Sequence, residues 1–310
     1  MPFSSLADSR ACLNELVERS LAPKTWKAYV AAWEKWQQFQ GNVSSEGQAP
    51  LQQLLEFLGK SKEEGASRAV ANTRLALVSF FSKLLGKEDL TKAFVVRTVM
   101  KGWARVEIRR PDSREPVTIE RLKSIIHIVA KVCNGEYEEK LFKAAFIMAF
   151  SGAFRVGELV AQSKMAAGTG LLVKNIAASQ GAVLCKIHKS KTDQIGKGRW
   201  VQLGRHPDTT VCPIEVVQKF LEVRPKGGEN FLIHVDQAAL TRFQFTAIFK
   251  KCIKVLGWNP RKFGTHSSRI GAATSAASQG CSAEEIKGKG GWKSNSYKSY
   301  VRLVARAPPQ

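Results

Sequence analysis

The chain has 310 residues, 44% of them hydrophobic, with 16 Phe and 7 Trp; that is enough for two domains with proper cores and too apolar for a disordered chain. Lys and Arg number 48 against 26 Asp and Glu, a net charge of +22 that points to a polyanionic partner. No apolar run nears the ~18 residues of a membrane span, and neither a secretory leader, a lipidation signal nor a single basic amphipathic helix is found, so nucleic acid is favoured over lipid. The charge lies on both halves: residues 1–110 hold 17 basic and 11 acidic side chains, and residues 111–310 hold 31 and 15. Cys12, Cys133, Cys185, Cys212, Cys252 and Cys281 form no C-x-x-C pair and have no His at zinc-finger spacing. They read as buried thiols in a reducing compartment, with no metal site and no cofactor.

Residues 1–110 read as helical throughout. In TWKAYVAAWEKWQQF, Trp26, Tyr29, Val30, Trp33 and Trp36 follow the i, i+3, i+4, i+7 spacing of one buried helix face. PLQQLLEFLGK opens with Pro50, suited to a first helical turn. ASRAVANTRLALVSFFSKLLG and LTKAFVVRTVMKGWARV complete an expected bundle of four helices, whose aromatics are read as core rather than base-stacking residues. VEIRRPDSREPVT, with two prolines and clustered charge, is the boundary. The expected division is a helical domain over 1–108, a linker over 109–117 and a second domain over 118–310.

In that second part, TIERLKSIIHIVAKV and YEEKLFKAAFIMAFSGA read as helices, the latter apolar enough to be central. LLVKNIA, AVLCKIHKS and RWVQLG are short β-like runs separated by Gly-containing turns, a small meander. CPIEVVQKFLEVRP, TRFQFTAIFKKCIKVLG and the run from Thr265 to Gln279 return to helix, the last closed by Gly280. The fold class is therefore mainly α with a small antiparallel sheet.

The residues that carry chemistry are scattered. Arg155 stands three before Glu158 in RVGEL; alone, this is any helical ion pair. Lys191 lies in KSKTDQIGKGR between two strands, with Lys189 and Lys197 as competitors, on a mobile loop suited to a general acid. His266 and Arg269 share a helix face just after Thr265, a candidate N-cap; two cations there make most sense around a phosphate. Trp292 follows two glycines, and Tyr297 and Tyr300 share a short helical stretch. A phenol, with its ordinary pKa of about 10, becomes a nucleophile only near positive charge or a base. Each signal is weak by itself. Their order is strong: two arginines to neutralise a phosphate, a lysine or histidine to move protons, and a late tyrosine to attack.

With these motifs the chain resembles the tyrosine recombinase (phage integrase) family. FGTHSSRIGAATSAASQG, GGWKSNSYKSYVR and SKTDQIGKG look most like the recombinases of eukaryotic mobile elements, the DIRS-like, Ngaro and Crypton groups. The resemblance implies a helical core-binding domain and a catalytic domain forming a C-shaped clamp on double-stranded DNA. Two protomers would share each site, and four would assemble on two sites. It implies that Arg155 and Arg269 clamp the scissile phosphate, Lys191 protonates the leaving 5′ oxygen, and His266 assists proton transfer with the tyrosine. Trp292 would donate its indole N–H and pack the site, Glu158 would orient its basic neighbours, and Tyr300 would form a 3′-phosphotyrosyl bond without metal or ATP. Trp292 to Tyr300 is eight residues, one fewer than in many bacterial and phage members, which leaves Tyr297 as the fallback nucleophile. Nuclear residence follows from the same resemblance. The competing readings are a type IB topoisomerase with equivalent chemistry and a domesticated DNA-binding protein without catalysis. A metal-dependent nuclease fits poorly, because Glu158, Asp193 and Asp208 show no grouping.

Overall fold

A computed structural model describes residues 9–42, 49–108, 112–166, 168–179, 181–188 and 196–302. The chain divides into two compact units, residues 1–111 and 112–310.

The first unit is helical, as its sequence implies, but has five described helices rather than four: α1 (Ser9–Arg19), α2 (Pro23–Asn42), α3 (Pro50–Glu63), α4 (Arg68–Leu84) and α5 (Phe94–Val106). The unforeseen α1 leaves Leu13 and Leu16 exposed. Pro50 occupies the first turn of α3, and Leu54, Phe57, Leu58 and Ser61 form its buried stripe. Ser67 caps α4, its Oγ accepting from the Val70 N–H. The α2 aromatic face points to the core, although only Trp36 is fully buried; Trp26, Tyr29 and Trp33 pack half-buried against the same cluster.

The second unit is built around α7 (Glu136–Ser151), whose residues 144–150 are buried on every side. At about 1.5–3 kcal/mol per large apolar side chain removed from water, this helix anchors the unit. Packed with it are α6 (Ile119–Val132), α9 (Pro213–Val223), α10 (Arg242–Val255) and α11 (Ser267–Ser278). Thr118 caps α6, and Thr241 with Gln244 forms a capping box at α10. The short α8 (Val156–Leu159) follows α7 directly, and α12 (Ala283–Gly290) follows α11. The sheet is antiparallel in the order β1 (Ile176–Ala178), β2 (Ala182–Ile187), β3 (Arg199–Gly204), with Cys185 opposite Val201. Val183, Cys185, Ile187, Val201 and Leu203 face the core in strict alternation. The first β-like run yields only the three residues of β1, because Val173–Asn175 form a 3-10 turn.

Three expectations need correction. Residues 112–117, read as linker, run along the second unit: the Glu115 N–H donates to the Lys262 carbonyl at 2.7 Å, the Val117 N–H to the Ser267 carbonyl at 3.0 Å, and Val117 is fully buried. Thr265 is not the cap of α11; that position falls on His266, with no side-chain cap bond. Of the thiols, Cys185, Cys212 and Cys252 are buried, Cys133 and Cys281 are half-buried, and Cys12 is exposed. No described helix is long and apolar enough to cross a membrane.

Candidate active site

The corner between α7 and α8 sets the first guanidinium. Ala153 has φ of 45°, a left-handed conformation costing an L-residue about 1–2 kcal/mol, and the chain then turns through buried Phe154 into Arg155. Arg155 is the N-cap of α8, and Glu158 sits at its third position. The Glu158 carboxylate accepts from the Arg155 backbone N–H at 3.0 Å and from its Nη1 at 2.7 Å. The sequence pair is therefore a local clamp: the helix start satisfies the acid, and the acid aims the guanidinium. Glu158 is only 3% exposed, so its charge is effective in a desolvated setting.

Arg269, in the first turn of α11, is wholly buried. Its Nη1 donates to the Ala153 carbonyl and its Nη2 to the Gly290 carbonyl at 2.7 Å. The strained turn at Ala153 thus aims a carbonyl at this cation. The guanidinium lies 3.9 Å from the centre of the Trp292 ring and 5.4 Å from that of Tyr300. Burial, then the Arg155 charge, pull its pKa down to about 10, partly offset by Glu158; it stays charged at neutral pH.

The two glycines before Trp292 have distinct spatial reasons. A Cβ on Gly290 would stand 1.9 Å from the Trp292 ring, so no side chain fits there while the indole covers Arg269. Gly291 is the left-handed C-cap of α12, with φ of 63°. Tyr300 ends the 3-10 turn Asn295–Ser299, its ring 5.3 Å from that of Trp292 and 6.0 Å from that of His266. Thr274 Oγ1 donates to the Tyr300 carbonyl at 3.3 Å and accepts from the Arg302 N–H at 3.1 Å. His266 has a pKa lowered first by burial and then by Arg114, Arg269 and Arg155, which favours the neutral, proton-accepting imidazole.

Among the described residues, five buried side-chain polar atoms have no hydrogen-bond partner, and three of them are His266 Nδ1, Arg269 Nε and Trp292 Nε1. Buried polar groups are ordinarily satisfied, so three such atoms on side chains gathered around the Tyr300 ring mark a place for a polar ligand. Positive charge around them selects an anion. An attacking phenol, an imidazole able to take its proton and two fixed guanidiniums are what transfer of a phosphoryl group to tyrosine requires.

No family model matches the chain. An integrase/recombinase XerD homologue of Selenomonas ruminantium is 25% identical over 276 residues, 84% of this chain and 76% of that protein. A lambda integrase dimer bound to a COC' core site superposes with TM-score 0.63 at 18% identity, covering 96% of this chain and 77% of that one. A lambda integrase tetramer bound to a Holliday junction gives TM-score 0.63 at 17% identity, with the same coverage. The fold is that of the tyrosine recombinases and integrases.

Within that fold, Arg155, Glu158, His266, Arg269, Trp292 and Tyr300 come together as their sequence order implies. Lys191 lies outside the described residues, as do Lys189 and Asp193. Tyr297 is buried, its ring 5.9 Å from Lys287 Nζ; among the described residues it makes none of the ring contacts to His266, Arg269 or Trp292 that surround Tyr300. Two further arginines belong to the site and were not foreseen. Arg199, the first residue of β3, places Nη2 3.4 Å from Glu158 Oε2. Arg114 is close enough to Tyr300 and His266 for electrostatic coupling and is itself held by Asp112 at 2.8 Å. The signal for Arg199 was its place directly after GKG at a strand start; Arg114, in a charged stretch read as linker, gave none.

Proposed function

We propose that this chain is a tyrosine site-specific DNA recombinase that cuts and rejoins DNA through a 3′-phosphotyrosyl bond. The observation that carries the reading is Tyr300 seated against Arg269, Trp292 and His266, beside the Arg155–Glu158 clamp. The Tyr300 oxygen attacks phosphorus while His266 takes the phenolic proton. The bond to the 5′ oxygen breaks, and that oxygen receives a proton from Lys191. Arg155 and Arg269 neutralise the non-bridging oxygens as charge develops, and Trp292 offers its indole N–H. Attack by a 5′ hydroxyl on the phosphotyrosine reverses the step, so neither metal nor ATP enters the balance. Double-stranded DNA is the partner. A dimer on each site and a tetramer on two sites extend to this chain what the lambda integrase assemblies display. The motifs around His266 and Tyr300 support a eukaryotic mobile element as source and the nucleus as its place of work.

The test is capture of denaturant-resistant adducts, in EDTA, on nicked duplexes with a randomised core, followed by sequencing of the trapped DNA. An adduct is expected for the wild type and Tyr297→Phe, and none for Tyr300→Phe. Adduct formation that survives Tyr300→Phe but not Tyr297→Phe moves the nucleophile, and a requirement for magnesium overturns the mechanism. Relaxation of any supercoiled plasmid without sequence preference points instead to a topoisomerase.

A further inference from the structure

Glu158 faces more positive charge than one carboxylate offsets. Its Oε1 accepts from Arg155 Nη1, and its Oε2 is shared between the Arg155 backbone N–H and Arg199 Nη2. The Arg155 and Arg199 side chains are about one-fifth exposed, and buried Arg269 is electrostatically coupled to all three groups. Three guanidiniums around one acid leave two positive charges in a poorly solvated place. Such an arrangement is costly until an anion arrives.

Arg199 is fixed by more than this ion pair. Its Nη1 lies 3.4 Å from the Lys289 carbonyl, while Arg269 takes the next carbonyl, Gly290. Both carbonyls end α12, where the helix dipole is negative and favours cations. A Cβ on Gly291 would lie 2.5 Å from Arg199 Nε, so any other residue there would push this guanidinium aside. One helix end therefore seats two guanidiniums side by side.

We infer that Arg199 is a positioning residue for the phosphoryl transfer: it holds the Glu158 oxygen that the Arg155 guanidinium leaves free and adds a third positive charge to the phosphate pocket. The inference rests on the recombinase reading. Without Arg199, Oε2 keeps, among the described residues, the Arg155 backbone N–H alone, and the carboxylate is freer to rotate with the guanidinium it aims. Arg199 makes and breaks no bond. A purely architectural role, tying β3 to α12, would instead lower stability, DNA affinity and rate in parallel.

The two roles separate in single-turnover adduct formation at saturating protein on the captured duplex, with affinity and thermal midpoint measured independently. Arg199→Gln is expected to slow the step about 100-fold with Kd within about threefold. Arg199→Lys recovers part of the rate, keeping the charge but unable to reach Glu158 and the Lys289 carbonyl together. A methylphosphonate at the scissile position, with one charge fewer, narrows the deficit of Arg199→Gln to below about tenfold. Cleavage by Arg199→Gln within about threefold of wild type overturns the inference, as does loss of affinity and stability in step with rate. Orthovanadate supplies an arm independent of DNA sequence: it raises the melting temperature of wild type, and Arg199→Gln loses most of that shift. An Arg199-dependent vanadate shift without any adduct sinks the recombinase reading and keeps the anion pocket. An adduct indifferent to Arg199 does the reverse, and absence of both sinks both.

Discussion

The core rings of the first unit and the site rings of the second make different contacts. In the first, rings meet rings: Trp33 lies 4.7 Å from Phe81, Trp36 packs edge-on against Phe57 at 5.1 Å, and Trp26 meets Phe80 and Phe81. The core of the second unit does the same, Phe146 meeting Phe245 and Phe249, but at its site Trp292 covers a buried cation, and Tyr300 leans on the same guanidinium. A ring on a ring gains area and a modest geometric term; a ring on a desolvated guanidinium orients a charge. The same residue type thus serves cohesion in the cores and chemistry at the site.

Truncating one tryptophan from each unit is the strongest way to break this contrast. Trp36→Ala is expected to cost about 3–5 kcal/mol in denaturant unfolding, as large core truncations do, while folded molecules form adduct at the wild-type rate. Trp292→Ala is expected to slow adduct formation about 100-fold at saturating protein, because Arg269 loses its cover and the phosphate loses a donor. Trp292→Phe, which keeps a ring, should lose less. Equal effects of the Trp36 and Trp292 truncations on rate per folded molecule would erase the distinction.

The pH response sharpens it within the second unit. The folded-state pKa of His266 is depressed below 6.5, so the unfolded chain takes up a proton first as the solution is acidified. Its contribution to stability is complete above pH 6.5 and shrinks as pH falls from there through the folded pKa. The neutral imidazole persists below the pH at which a free one would protonate. Adduct formation should therefore stay level through pH 6.5 and fall only in more acidic solution, and His266→Gln should remove that acid limb while lowering the plateau. A rate that drops already at pH 6.5 or above would mean that His266 is not desolvated in the working enzyme.

Much of this was legible in the chain because it is local. Helix faces repeat within a few residues, Pro50 marks a start, and Arg155 with Glu158 is a single-turn device. What escaped is set by tertiary contact. The α11 start falls on His266 rather than after a Thr265 cap, because Ser267 bonds back to Gly264 and its carbonyl holds Val117. Arg199 belongs to the site only because α12 ends beside β3, and α12 itself is short, with only Ile286 and Gly290 buried. Ala153 gives no hint of its left-handed turn, since nothing in an alanine demands one.

The smallest expected effect concerns how the nucleophile's backbone is held. Arg302, two residues after Tyr300, pairs with Asp112 at 2.7 Å, and Asp112 also binds Arg114, whose hydrogen bond chiefly holds the acid's pKa at about 2. These side chains are one-quarter to two-fifths exposed, so solvent screens the pairing and Asp112→Asn should cost less than about 1 kcal/mol. Thr274, buried and bonded to the Tyr300 carbonyl and the Arg302 N–H, keeps the strap in place without it. Adduct formation by Asp112→Asn should fall by no more than about threefold, and its stability deficit against wild type should shrink as the pH drops from 3.8 toward 2, where the wild-type carboxylate is protonated too. A large loss on Asp112→Asn would mean that Arg114, released from its acid, is what places charge beside the phenol, and that the electrostatics around Tyr300 are organised from residues 112–114 as much as from α11.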